Sequence, residues 1–191
     1  MPIIQSEKAR GRAIPAGLLL GETTVMRPVT PGDLPLLQAW DEDPVVTELM
    51  GRKYGETNSA DWFRSLQTER TCRAWMIENK DGRVVGELEL AHLNWRNGST
   101  EMRICIGEKD CWNQGYGTDA VRTAMRLAFV GYELQEVYLR VFATNTRAIK
   151  VYERVGFRKT AVLPASERRE DPSPVVLMSL TRQRWGARAV C

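Results

Sequence analysis

From Arg73 to Gly107 apolar and polar residues alternate in short runs, whereas over Gly117–Val130 and Thr146–Val155 apolar residues return every three or four positions. Alternation marks a strand with one buried face, and the longer repeat marks a helix with an apolar stripe. Arg73–Glu78, Val84–Leu93 and Thr100–Gly107 are therefore predicted strands. Asn79-Lys80-Asp81-Gly82 and Asn97-Gly98 supply tight turns between them, so the three form an antiparallel meander. Upstream, Thr23–Pro28 reads as a strand, and Thr30-Pro31-Gly32-Asp33 starts a short helix carrying Leu34, Leu37 and Trp40 on one side. A second helix is predicted for Ser59–Glu69, with Asp43–Asn58 as a mobile connection.

Downstream, Val121, Ala124, Met125 and Ala128 share one helix face, and Asp119, Arg122 and Arg126 the opposite one. Glu136–Ala143 is a predicted strand. Asn145 caps the helix Thr146–Val155 and Gly156 ends it, before strands at Phe157–Leu163 and Val175–Leu180. That order predicts an α/β (α+β) domain, a mixed and mostly antiparallel sheet with helices on its faces.

At 191 residues the chain fits one domain, divided here into an N-terminal extension (1–22), the domain proper (23–183) and a basic tail (184–191). No apolar run reaches the roughly 18 residues that a membrane span needs. Lys8, Arg10 and Arg12 before Ala13–Gly21 imitate a secretion signal, but Pro15 and Gly17 interrupt the apolar stretch and no small-residue cleavage site follows. Cys72, Cys105, Cys111 and Cys191 form no metal-ligand spacing, and His92 is the one histidine, so no metal is expected. Reduced thiols in cytoplasm are the plain reading. A net charge of +3, with Arg182, Arg184 and Arg188 as a solvated tail, gives no argument for nucleic acid.

The segment Trp112-Asn113-Gln114-Gly115-Tyr116-Gly117-Thr118 lies between a predicted strand and a helix. There, unpaired amides point along a positive helix end, and glycines let a phosphate approach the main chain. Asp119 stands against this, since its carboxylate repels an anion unless it points to solvent. A Gly-x-Gly turn alone is equally a tight connection with no ligand. The GxGxxA match over Gly115–Ala120 also suggests a dinucleotide site. That site needs an acidic residue at the far end of the next strand, where Val141-Phe142-Ala143 stands.

A second motif, Asn145-Thr146-Arg147-Ala148-Ile149-Lys150-Val151-Tyr152-Glu153-Arg154-Val155-Gly156-Phe157, follows about 30 residues later. Together the two resemble the GNAT superfamily of N-acetyltransferases. The likeness runs from Thr23 to about Leu180 and is nearest to the branch of ribosomal-protein alanine and spermidine acetyltransferases. Met26-Arg27-Pro28, Asp33-Leu34, Gly86, Glu101 and Trp112 carry that branch's features.

The resemblance implies a splayed central sheet and transfer of an acetyl group from acetyl-CoA to an amine. It implies that Trp112, Asn113, Gln114, Gly115, Tyr116, Gly117 and Thr118 hold the pyrophosphate. Ile104, Cys105 and Ile106 would pair with the pantetheine arm, Asn145 would bond to it, and Tyr152 would face the sulfur. By helical spacing alone Tyr152 is equally a core residue.

Direct attack by an amine needs no protein nucleophile. It needs a lost proton, an oxyanion donor (here a backbone N–H near Ile106) and an acid for the thiolate. Tyr152 is the expected acid and Glu101 the expected base, directly or through water, with Glu87 and Glu89 as weaker competitors. Glu101 is equally readable as a strand residue paired with an arginine. Asp41, Glu42, Asp43 and Glu48 would lie at the acceptor mouth, where a cationic amine enters. Ser166-Glu167-Arg168-Arg169-Glu170-Asp171-Pro172 replaces the aromatic-glycine pair common in that branch and leaves the acceptor open: a protein N-terminus, a polyamine or another small amine. A homodimer is compatible with all of this.

Overall fold

The structure is a computed structural model that describes residues 17–50, 59–164 and 173–188. The signal-like stretch up to Ala16, the second half (51–58) of the Asp43–Asn58 connection, the Ser166–Pro172 loop and the last three residues lie outside the described residues.

Eight strands form one sheet among those residues: β1 (Leu19–Leu20), β2 (Thr24–Pro28), β3 (Arg73–Asn79), β4 (Val84–Asn94), β5 (Ser99–Cys105), β6 (Glu136–Phe142), β7 (Arg158–Leu163) and β8 (Val175–Thr181). Their spatial order is β1-β2-β3-β4-β5-β6-β8-β7. Every pairing is antiparallel except β5 with β6. The meander β3–β4–β5 follows the alternation expected of it. Its first turn is closed by Asn79, whose Oδ1 accepts from the amides of Asp81 at 3.0 Å and Arg83 at 2.9 Å, with Gly82 at φ +81°. The last strand, β8, inserts between β6 and β7, so the final hairpin packs back-to-front against the sheet.

Helices cover both faces. One face carries α1 (Leu34–Glu42), α2 (Pro44–Met50) and α3 (Ser59–Thr68). The other carries α4 (Tyr116–Arg126), continued by a wider turn at Leu127–Gly131, and α5 (Thr146–Val155). The larger core joins Leu88, Leu90, Met102, Val137 and Leu139 of the sheet to Val121 and Met125 of α4 and Phe129 of the turn that continues it. The smaller core packs Leu37, Trp40 and Val46 on Met76 and Cys105. Burial of such side chains stabilises the fold by about 1.5–3 kcal/mol each.

Three differences from expectation have plain causes. The supposed connection after Asp43 begins with a helix, α2, because Asp43 caps it: Oδ1 accepts from the amides of Val45 at 3.0 Å and Val46 at 3.2 Å. Pro44 then stands where a proline suits a helix start. In the segment assigned to the extension, Leu19 and Leu20 already pair with Met26 and Val25. Across the expected end of the domain runs α6 (Arg182–Arg188), which lays the Trp185 ring 6.1 Å from that of Phe129.

The feature that shapes everything else is where β5 and β6 stop pairing. Their register runs Ser99↔Glu136, Thr100↔Val137 and Glu101↔Tyr138, and no further. β5 continues to Cys105 and β6 to Phe142, so beyond the vertex they diverge. The β5 side of this V is wedged by close packing. A Cβ on Gly107 would stand 2.1 Å from the Trp40 ring, and one on Gly86 would stand 2.2 Å from the Cys105 carbonyl oxygen. Gly107→Ala is expected to cost about 1–3 kcal/mol, the usual penalty for overfilling a packed site, measured as a lowered urea midpoint at unchanged m-value.

Candidate functional site

The V opens into a cleft of about 1610 Å³. Its walls are Met102–Ile106 on one side and Arg140–Phe142 on the other. One end is formed by Trp112, Asn113 and Gly115–Thr118, and the roof by Asn145, Arg147, Ala148, Val151 and Tyr152 of α5 and its cap. The glycine turn and the Tyr152 phenol thus face one cavity. Of the residues expected to meet the coenzyme, Gln114 alone is not among its walls; it borders a smaller recess, and its amide Nε2 donates to the Asp110 carbonyl at 2.6 Å.

The turn into α4 is built from two left-handed residues, Asn113 at φ +64° and Gly115 at φ +89°. Gly115 is required by that backbone conformation, since nothing lies within 4 Å of where its Cβ would be. The first helical hydrogen bond runs from the Asp119 amide to the Gly115 carbonyl at 3.0 Å. The amides of Tyr116, Gly117 and Thr118 precede it, at the positive end of the helix. Gly117 is not demanded by packing: a Cβ there would meet Ile106 Cγ1 at 3.5 Å, an ordinary contact. Trp112 clamps this turn to the end of β5, its indole Nε1 donating to the Ile106 carbonyl at 2.7 Å.

On the roof, Asn145 caps α5 as expected, Oδ1 accepting from the Ala148 amide at 3.0 Å. Its Nδ2 donates to the Leu49 carbonyl of α2 at 3.1 Å, a tie across the cleft that the sequence did not show. One amide proton and one lone pair of that side chain remain for anything entering. Tyr152 is 7% exposed, its ring 5.9 Å from that of Phe157. Burial pushes its phenol well above the usual range, with Cys105 a smaller contributor. The phenol is therefore protonated throughout the working range of pH. The Cys105 thiol is buried on the cleft wall.

Of the two readings held for Glu101, a base or a strand residue paired with an arginine, the geometry displays the pairing. Glu101 lines the cleft with its side chain 3% exposed, and it is braced at the vertex of the V. Arg103 Nη2 donates to its Oε2 at 2.8 Å, and Arg140 donates through Nε at 2.8 Å and Nη2 at 3.0 Å. His92 Nδ1 lies 3.1 Å away. Burial alone would raise its pKa, but the Arg140 and Arg103 guanidiniums outweigh that and hold it at about 2. A group held there accepts no proton at neutral pH. Glu89, also buried, is engaged with the Cys72 thiol, which donates at 2.9 Å, and with Arg103 at 3.3 Å. Glu87, 3% exposed, lines the cleft in register with Cys105.

At the mouth, the acidic run is largely spoken for. Asp43 pairs with Lys109 at 2.5 Å, and Glu42 accepts from Gln38 at 2.9 Å. Of the four acids expected there, only Glu48 is among the cleft walls. Asp119 does not point to solvent either; it is 8% exposed and hydrogen-bonded to the β1–β2 connection. Two wall residues escaped the sequence reading. Arg147 lays its guanidinium 3.9 Å from the Trp112 ring centroid, a cation–π contact. Arg140 was legible as a lone cation on one face of an apolar strand, the pattern of a paired charge.

No group of three or more His, Cys, Asp or Glu side chains among the described residues is placed to hold a metal ion, and no helix there is long and apolar enough to cross a membrane.

Comparison with known proteins matches this architecture. An uncharacterized protein of Methanocaldococcus jannaschii is 30% identical over 142 residues, covering 71% of this chain and 28% of its own. The spermidine N(1)-acetyltransferase of Vibrio cholerae is 27% identical over 85 residues, covering 44% of this chain and 49% of that protein. The matches thus take in between about a quarter and a half of these relatives' length. The crystal structure of the Vibrio cholerae spermidine N-acetyltransferase in complex with CoA and spermine superposes with a TM-score of 0.77 at 18% identity, over 85% of this chain and 98% of that one. That likeness is one of fold. The acetyltransferase (GNAT) domain family matches residues 24–158, well over half of the chain, and the protein belongs to that family.

Proposed function

We propose that the chain transfers an acetyl group from acetyl-CoA directly to an amine, with both substrates bound in the V. The observation that carries this reading is that the free amides of 116–118, the diverging edge of β5 and the Tyr152 phenol line one cleft. Gly117, which packing does not require, is then explained by close approach of a phosphate to the main chain. The β5 edge beyond Glu101 offers backbone groups to an extended amide-bearing arm, as a sheet edge does to an added strand.

Tyr152 acts as hydrogen-bond donor to the departing sulfur. Its raised pKa makes full proton transfer to a thiolate uphill, so its contribution is modest, but it guarantees that the proton is present. The acceptor loses its proton to water rather than to Glu101. Giving a proton from an ammonium of pKa ~10.4 to bulk solvent at pH 7 costs about 4.6 kcal/mol. Giving it to a carboxylate held at about 2 costs more than twice that. Glu101 instead braces Arg103 and Arg140, and Glu87 and Glu48 give the acceptor side of the cleft its carboxylates. Polyamines, α-amines and other small amines form the panel to assay, polyamines first because of the Vibrio cholerae relative.

The deciding experiment follows CoA release from acetyl-CoA with that panel, with mass detection of the acetylated amine. Turnover supports the proposal. Coenzyme binding with no acetyl transfer to any amine would leave a non-catalytic acyl-CoA-binding module. Tyr152→Phe is expected to lower kcat by about 10-fold and to leave the acetyl-CoA dissociation constant nearly unchanged; unaltered turnover would remove Tyr152 from the chemistry.

Glu101→Gln is expected to keep the rise of kcat/KM with pH, since that rise belongs to the amine. Its main effect is on stability, a loss of about 1–3 kcal/mol at pH 7 from charged hydrogen bonds. The folded pKa lies below the usual 4.5, so this contribution is whole above about pH 4.5 and is lost as pH falls towards 2. Urea midpoints of wild type and variant should converge as pH falls from about 4.5 to about 2. A flattened pH–rate profile in the variant would restore Glu101 as the base.

A further inference from the structure

Asp119, in the first turn of α4, places a negative charge beside the proposed phosphate site. Its surroundings give that charge a different task. Oδ2 accepts from the amides of Thr23 and Thr24, both at 2.9 Å, and from the Thr24 hydroxyl at 2.7 Å. Oδ1 accepts from the Glu22 amide at 3.0 Å. These donors come from the connection between β1 and β2 and from the first residue of β2, about 95 residues away in the chain. Gly21 closes the fit, because a Cβ there would stand 2.3 Å from Asp119 Oδ2. At the other end of α4, Arg126 Nη2 donates to the Leu20 carbonyl at 2.7 Å. Residues 20–24 therefore form a strap along α4, fastened at its first turn and at its last.

The bonds run from a buried carboxylate to three main-chain amides, which is a stiff attachment. Burial works against the charge, but the Thr24 hydroxyl and the amides of Thr23, Glu22 and Thr24 outweigh it and keep the carboxyl below its usual range. The same turn carries the amides of 116–118, whose direction decides how well an anion is met.

We infer that Asp119 is a positioning residue for the coenzyme: by fastening the first turn of α4 to the strap at residues 21–24, it aims the phosphate-facing amides into the cleft. The inference rests on the reading that the cleft takes coenzyme A. It also makes the segment before residue 23 part of the binding unit. An unfastened carboxylate at this place would have the opposite effect, weakening phosphate binding by repulsion, so the sign of one measurement separates the two.

The test is calorimetric titration of the full chain with CoA, without acceptor, alongside thermal melts without ligand. Asp119→Asn places an amide group against backbone donors and loosens the turn; the expected result is CoA binding weaker by about 10-fold, or ~1.4 kcal/mol. At saturating acetyl-CoA its kcat should stay within about two-fold of wild type, the loss appearing in KM. Gly21→Ala changes no charge but pushes the strap off Asp119, and it should weaken CoA binding in the same direction. Equal or tighter CoA binding by Asp119→Asn would overturn the inference and leave repulsion as the residue's effect. So would unchanged binding by Gly21→Ala. A lowered melting temperature with unchanged CoA affinity in the folded protein would reduce Asp119 to a stabilising contact, also overturning it. Should Asp119→Asn not fold, Gly21→Ala decides alone. A wild-type chain that binds no CoA would instead sink the reading of the cleft.

Discussion

Three residue pairs of parallel sheet, and the end of that pairing at Glu101 and Tyr138, set the terms for the rest of this molecule. A parallel pair needs a crossover, here supplied by α4, and a sheet whose strands stay paired would have no interior space. By letting go after three residues, β5 and β6 expose main-chain groups in the middle of the domain rather than at its rim. Buried main-chain groups without partners are costly. A structure that holds them apart must gain elsewhere, and the two apolar layers on either side of the sheet supply that gain.

The opening is held by contacts of different kinds. The ion cluster of Glu101, Arg103 and Arg140 stands at the vertex. The Trp112 indole fastens the glycine turn to the last carbonyl of the β5 side. Asn145 reaches from α5 to the Leu49 carbonyl of α2, joining helices from opposite faces of the sheet. Charge, indole and amide each act where the strands themselves offer no support.

Much of this was legible in the chain. Alternation located β3, β4 and β5, and the helical repeat located α4 and α5, because each of these elements has one apolar face and one polar face. The two motifs located the glycine turn and Tyr152, since both depend on local spacing. What the sequence concealed are contacts between distant segments. Neither the strap on Asp119 nor the tie from Asn145 to Leu49 has any local signature. The same holds for Glu101, whose neighbours along the strand say nothing of Arg140, 39 residues on. The helix α2 was missed for another reason: Asp43 and Pro44 are a sound start signal, but seven residues are too few for a repeat to show.

The ion cluster at the vertex also constrains how this chain can drift. Replacing any one of Glu101, Arg103 and Arg140 strands its partners in a partly desolvated place, a larger penalty than the intact cluster's own net worth. Single exchanges at these positions are therefore disfavoured, and a concerted swap for apolar side chains would have to take in Glu89 as well, since it is buried and shares Arg103. Glu89, Glu101, Arg103 and Arg140 should vary as a block or not at all, and their substitution energies should be far from additive.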